Sequence, residues 1–199
     1  MPALQATGGT AIAEESRTGR RPARLSVLAF AIGVVGLAAD LAAKTAALAN
    51  LDPLHPPVYL GGLVTLQLVR NPGAAFSMGE NLTILLACIA LAAFVFVSVY
   101  LIPRVRHLGW AVAEGLLLAG ITGNLSDRLF REPGPFRGYV VDFVQLPHFA
   151  IFNVADMCIT AAAVLIIWFV MVAQVGPDGR SMKDAARASA STSASVGKP

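Results

Sequence analysis

Two aspartates, Asp142 and Asp156, stand in one mostly apolar stretch, VVDFVQLPHFAIFNVADM (Val140–Met157). Ionised groups are expensive near lipid. Two carboxyls close together there cannot both ionise cheaply, so the pair shares one proton. One ionised and one protonated carboxyl can activate a water and protonate a leaving group, which is aspartic-type hydrolysis. A proton relay is the rival reading of the same two residues. No other set competes. The three histidines, His55, His107 and His148, have no metal-ligand spacing, and Cys88 and Cys158 sit inside apolar blocks as ordinary buried thiols. No metal and no organic cofactor is expected.

Asp156 also has a structural explanation. Asn153 is a good helix N-cap, and an acid three residues later completes a capping box. Asp142, in a strand-like segment, has no such explanation. Further polar residues fall at apolar boundaries. Asp40 and Lys44 are spaced i, i+4 inside an apolar block, either as a mutually neutralised pair or as part of a site. Asn124 and Arg128, in GNLSDR (Gly123–Arg128), share one helix face, and Asp127 beside them reads as a helix-end anchor. RNPGAAF (Arg70–Phe76) is a turn with small residues for close packing. Glu114 lies near the other end of its block, within reach of Arg104 or Arg106.

The elements that carry these residues follow from composition. Of 199 residues, 56% are hydrophobic and only 14% charged, against about 25% charged in soluble domains. Mean hydropathy is +0.67. The net charge of +3 is small, and no basic face with interleaved aromatics supports nucleic-acid binding. Four apolar blocks, 25–49, 82–102, 108–125 and 151–175, are long enough or nearly so to cross a membrane as helices. Together, 25–175 form a four-helix membrane domain. Residues 1–24 and 176–199 have the composition of disordered tails. The tails and the 103–107 turn carry ten Lys and Arg, and the opposite loops four. The basic side is therefore expected to be cytoplasmic, with both termini inside and the loops 50–81 and 126–150 outside. Two outer segments, Gly61–Arg70 and Gly138–Leu146, have strand composition and predict a small extracytoplasmic sheet. In the third block, Ala111, Gly115, Ala119 and Gly123 form a small-residue face for close helix packing. The fold class is an all-α integral membrane protein with that added sheet.

Taken in order along the four blocks, Asp40 with Lys44, RNPGAAF, GNLSDR, VVDF and FNVAD resemble the bacterial lipoprotein signal peptidases (signal peptidase II, prolipoprotein signal peptidase). The resemblance covers about 25–175. It implies an intramembrane aspartic endopeptidase of the bacterial plasma (inner) membrane. Such an enzyme removes the signal peptide from prolipoproteins, cutting just before a diacylglyceryl-modified cysteine. It implies that Asp142 and Asp156 form the catalytic dyad. It also implies that Asn71, Asn124, Arg128 and Asn153 line the site, and that Asp40, Lys44, Asp127 and Gly123 support it. Expected partners are prolipoproteins, membrane lipids and the cyclic peptide inhibitor globomycin. The first motif reads DLAAK where the family usually has Asp-Gln-x-Thr-Lys. Two other functions fit the residues alone. A proton-coupled transporter would use Glu114 as a deeper relay member. A membrane adaptor would dock through the small-residue face.

Overall fold

The computed structural model describes the backbone of residues 9–73 and 81–183, with side chains from Ala23 onward apart from Asn81. Ala74, Ala75 and Phe76 of the RNPGAAF motif lie outside the described residues, as do Arg187 and Lys198 of the C-terminal tail.

Four helices are long and apolar enough to span a membrane: Ala23–Asn50, Leu82–Arg104, Leu108–Phe130 and Val154–Ala173. The first belongs to a longer helix, α1 (Gly9–Asn50), that runs back through part of the stretch read from sequence as a tail. It stops where Asp52-Pro53 cannot continue it. Helix α2 (Asn81–Val95) continues through a π-helical stretch, Phe96–Leu101, into a tight turn, Ile102–Arg104, that contains Pro103. Helix α3 (Leu108–Phe130) extends five residues beyond the sequence-based end, so Asn124, Asp127 and Arg128 are all helical. Helix α4 (Val154–Ile167), prolonged by π-helical Trp168–Ala173, begins later than the apolar run because Asn153 caps it.

Helix α3 is the centre of the bundle. About 56% of its apolar window is buried, against 11–17% for the other three, whose exposed faces are rows of Val, Leu, Ile and Phe suited to lipid. It packs against α1 and α4 and less extensively against α2, while α2 and α4 hardly touch. The small-residue face works as its spacing suggests. A Cβ on Gly115 would lie 2.7 Å from the Ala29 carbonyl oxygen and 2.8 Å from Ile32 Cβ, so α1 and α3 approach with no room for a side chain there.

The loops after α1 and after α3 form the expected small sheet in two pieces. Strands β1 (Val58–Tyr59) and β2 (Val64–Thr65) pair antiparallel. Strands β3 (Val69–Asn71) and β4 (Val140–Asp142) do the same, with Val69 opposite Asp142 and Asn71 opposite Val140. A bridge from Thr65 to Gln145 joins the two pieces. In this register Asn71 and Asp142 lie diagonally across the ladder on one face, close enough for their side chains to bond, and β4 packs against α3.

Candidate active site

Asp142 is the last residue of β4 and only 3% exposed. Asp156 lies in the first turn of α4, whose capping box is complete. The Asn153 Oδ1 accepts from the Asp156 amide at 3.0 Å, and Asp156 Oδ2 accepts from the Asn153 amide at 3.2 Å. Asn153 does more than cap. Its Nδ2 donates to Asp142 Oδ1 at 2.6 Å, so this fully buried residue bonds both carboxyls at once. Asp142 Oδ2 accepts from Asn71 Nδ2 at 2.9 Å, and Asp156 Oδ1 accepts from Asn124 Nδ2 at 2.7 Å. Each carboxyl oxygen thus has one fixed donor and keeps acceptor capacity for a further ligand.

The orientation of Asn124 is decided by Lys44. An ammonium can only donate, so the Asn124 oxygen must face it, at 3.2 Å, and the amide nitrogen is left for Asp156. Asn153 Nδ2 donates to the same oxygen at 3.1 Å. Lys44 is itself fully buried between Asp40 Oδ2 at 2.7 Å and Asp127 Oδ2 at 2.8 Å. Asp40 Oδ1 accepts from the Ala155 amide at 2.9 Å, one of the free N–H groups of the α4 N-terminus. Asp127 Oδ2 accepts from the Val141 amide at 3.1 Å, and its Oδ1 pairs with Arg131. Two cations therefore balance two anions, and the cluster ties α1, α3, α4 and β4 together directly behind the two carboxyls. Gly123 makes room for it: a Cβ there would lie 2.6 Å from Asp40 Oδ2.

Burial pushes the Asp142 carboxyl up to about 6, and the nearby Asp156 charge adds to the rise. The amides of Asn71 and Asn153 and the charge of Lys44 pull the other way. Arg128 is half-buried in the field of Asp142, Asp127 and Asp156, yet its Nη1 has no hydrogen-bond partner among the described residues. It lies against Gly73, whose φ of +126° suits glycine and where a Cβ would come within 3.2 Å of that nitrogen. The Asn-Pro-Gly turn is held by the Gly73 amide on Asn71 Oδ1 at 2.9 Å. Thr83, buried in α2, donates its hydroxyl to the Pro72 carbonyl.

A comparison with protein families matches residues 32–172 to the model for signal peptidase (SPase) II. The chain belongs to the signal peptidase II family. Among its relatives, the lipoprotein signal peptidase of Rhodococcus jostii (strain RHA1) is 45% identical over 77% of this chain and 76% of its own. That of Streptomyces coelicolor is 41% identical over 86% and 82%. A solved bacterial membrane enzyme, determined in meso at 1.9 Å, superposes with a TM-score of 0.63 at 25% identity, covering 72% of this chain and 92% of that one. This family member is a multi-pass membrane peptidase.

The ten residues that the resemblance assigned to the site fall in one region. Asp142, Asp156, Asn71, Asn124 and Asn153 are directly bonded, Asp40, Lys44, Asp127 and Gly123 stand behind them, and Arg128 is alongside without a bond to either acid. Glu114 differs from its sequence reading. Arg104 donates to the Tyr100 carbonyl and Arg106 to those of Pro103 and Val105, so neither pairs with it. Sequence reasoning missed Thr83, although a hydroxyl at the start of an apolar span was the available signal. It also missed the amides of Val141 and Ala155, which leave no mark in residue type.

Proposed function

We propose that this signal peptidase is an aspartic endopeptidase whose dyad is Asp142 and Asp156. It removes signal peptides from prolipoproteins, cutting before the diacylglyceryl-modified cysteine. The observation that carries the reading is the double bond-donor role of Asn153, which links a strand carboxyl and a helix carboxyl that the chain separates. Two acids held this way titrate as a pair, and burial raises the Asp142 carboxyl to about 6.

In the reaction, the ionised carboxyl takes a proton from water as the water oxygen bonds to the scissile carbonyl carbon. The protonated carboxyl gives its proton to the carbonyl oxygen. As the resulting diol collapses, one of its hydroxyls returns a proton to the carboxylate that had given one, the C–N bond breaks, and the proton taken from water goes to the departing amine of the lipidated cysteine. Arg128, with a free donor next to the dyad, fits a substrate carbonyl. The open side between α2 and α4 offers entry from lipid for both the acyl chains and the signal helix. On this reading globomycin competes with the substrate at the dyad, and the dyad faces away from the cytoplasm.

The test is cleavage of a diacylglyceryl-modified prolipoprotein. Asp142→Asn and Asp156→Asn should each lose at least about 10³-fold in kcat, in line with removal of an acid–base group. Full activity in either folded variant would overturn the dyad. Inhibition of cleavage by globomycin in the same assay is the second expected outcome.

A further inference from the structure

Glu114 is only 2% exposed, and its Oε2 has no hydrogen-bond partner among the described residues. It forms no ion pair among the described residues. A buried carboxyl left in this condition is costly unless a cation reaches it. It faces a cavity of about 360 Å³ at the end of the bundle far from the dyad. Tyr100, Leu101 and Arg104 line one side, and Pro177, Arg180 and Met182 the other. The two rim cations are already engaged. Arg104 donates to the Tyr100 carbonyl at 2.9 Å and lies 4.0 Å over its ring, while Arg180 is 3.8 Å from Asp178.

Glu114 is also aligned with the candidate active site. Glu114, Leu117, Ile121, Asn124 and Arg128 follow 3-4-3-4 spacing, which is one stripe along α3. After Glu114 every member of the stripe is only partly buried, and the stripe is turned away from Gly115 and Gly120, where α1 and α4 come close, with Leu117 and Ile121 at the edge of the core. From Glu114 to Asn124 is ten residues, or about 15 Å of helix. A signal peptide has an apolar segment of about 7–15 residues preceded by a basic segment. A helical apolar segment lying on this stripe, with its cut end at Asn124, reaches the level of Glu114 after about ten residues. The basic segment begins there.

We infer that Glu114 is the anchor for a lysine or arginine at the start of the signal peptide's apolar segment, a specificity contact about 15 Å from the reacting bond. This rests on the peptidase reading above. The contact matches charge, places the apolar segment against Leu117 and Ile121, and fixes how far the cleavage site extends toward the dyad.

The experiment uses the full chain in detergent and two synthetic diacylglyceryl substrates that differ only at the first position of the apolar segment, Lys in one and norleucine in the other. The wild-type chain should show a KM about tenfold lower for the lysine substrate, the scale of one charge-assisted hydrogen bond, with kcat moving less. In Glu114→Gln the KM ratio should fall to about one, and Glu114→Asp should retain part of it. Moving the lysine four residues outward should abolish the preference in the wild-type chain. A preference that survives in Glu114→Gln, no preference in the wild-type chain, or an equal loss on both substrates would overturn the inference. Cleavage of neither substrate by the wild-type chain would instead remove the peptidase reading, and the inference with it.

Discussion

Asn71 and Asn153 each donate to Asp142, and both donors favour its ionised form against the burial that disfavours it. Removing one should therefore raise that carboxyl further. For Asn71→Ala we expect the alkaline limb of the kcat/KM profile to move to higher pH by roughly half a unit to one, the worth of one hydrogen bond. A limb that stays in place or moves down would separate Asn71 from the titration. Burial also links Asp142 to stability. Its folded carboxyl holds a proton more tightly than the ordinary value of 3.8, so this contribution is complete below that pH and is lost as pH rises through about 6. Lys44 acts at the same scale with a larger cost. Lys44→Met leaves Asp40 and Asp127 buried without their shared cation and releases the Asn124 amide to turn. A loss of about 3–5 kcal/mol is expected, read by unfolding in detergent, with cleavage falling further than stability alone explains. An unchanged unfolding curve would show that the charges are balanced elsewhere.

At the scale of elements, the site depends on how closely α3 approaches α1 and α4. Gly123 sets that approach where it matters: an added Cβ would sit 2.6 Å from Asp40 Oδ2 and 2.8 Å from Ala155 Cβ. Gly123→Ala must push α1 or the α4 N-terminus away, and both carry site bonds. We expect a stability loss of about 1–3 kcal/mol with a clear drop in cleavage, measured by thermal unfolding and turnover in the same detergent. Wild-type turnover in the variant would mean that the helices shift without disturbing the dyad. The sheet positions by register: Asn71 opposite Val140 and Val69 opposite Asp142 put the two polar side chains where they bond. A slip of one residue would turn Asp142 to the other face of the strand.

For the whole molecule, the charge bias across the loops implies one orientation. By that bias both terminal segments and the 103–107 turn are expected on the cytoplasmic side, and the sheet with the proposed dyad on the other. Leu54, 83% exposed in the loop after α1, and Arg106, at the opposite end of the bundle, report on this. With Cys88 and Cys158 replaced by alanine, Leu54→Cys should react with an impermeant maleimide in intact cells, and Arg106→Cys only after permeabilisation. The reverse pattern would put the dyad on the cytoplasmic side.

Much of the fold and the candidate site was legible in the residues. The four spans were, because about 20 apolar residues crossing lipid as a helix need no partner to be recognised. So was the capping box, because Asn153 and Asp156 are three apart and helix geometry alone brings them together. The ion pair of Asp40 and Lys44 is local in the same way. Tertiary structure decided the rest. Lys44 also serves Asp127 and Asn124, Asn153 reaches Asp142, and Glu114 is left without either arginine expected beside it. Contacts within four residues follow from backbone periodicity, which a sequence carries. Contacts between elements depend on helix rotation, strand register and the single direction in which a buried amide can satisfy its donors and acceptors, and only the packed chain fixes these.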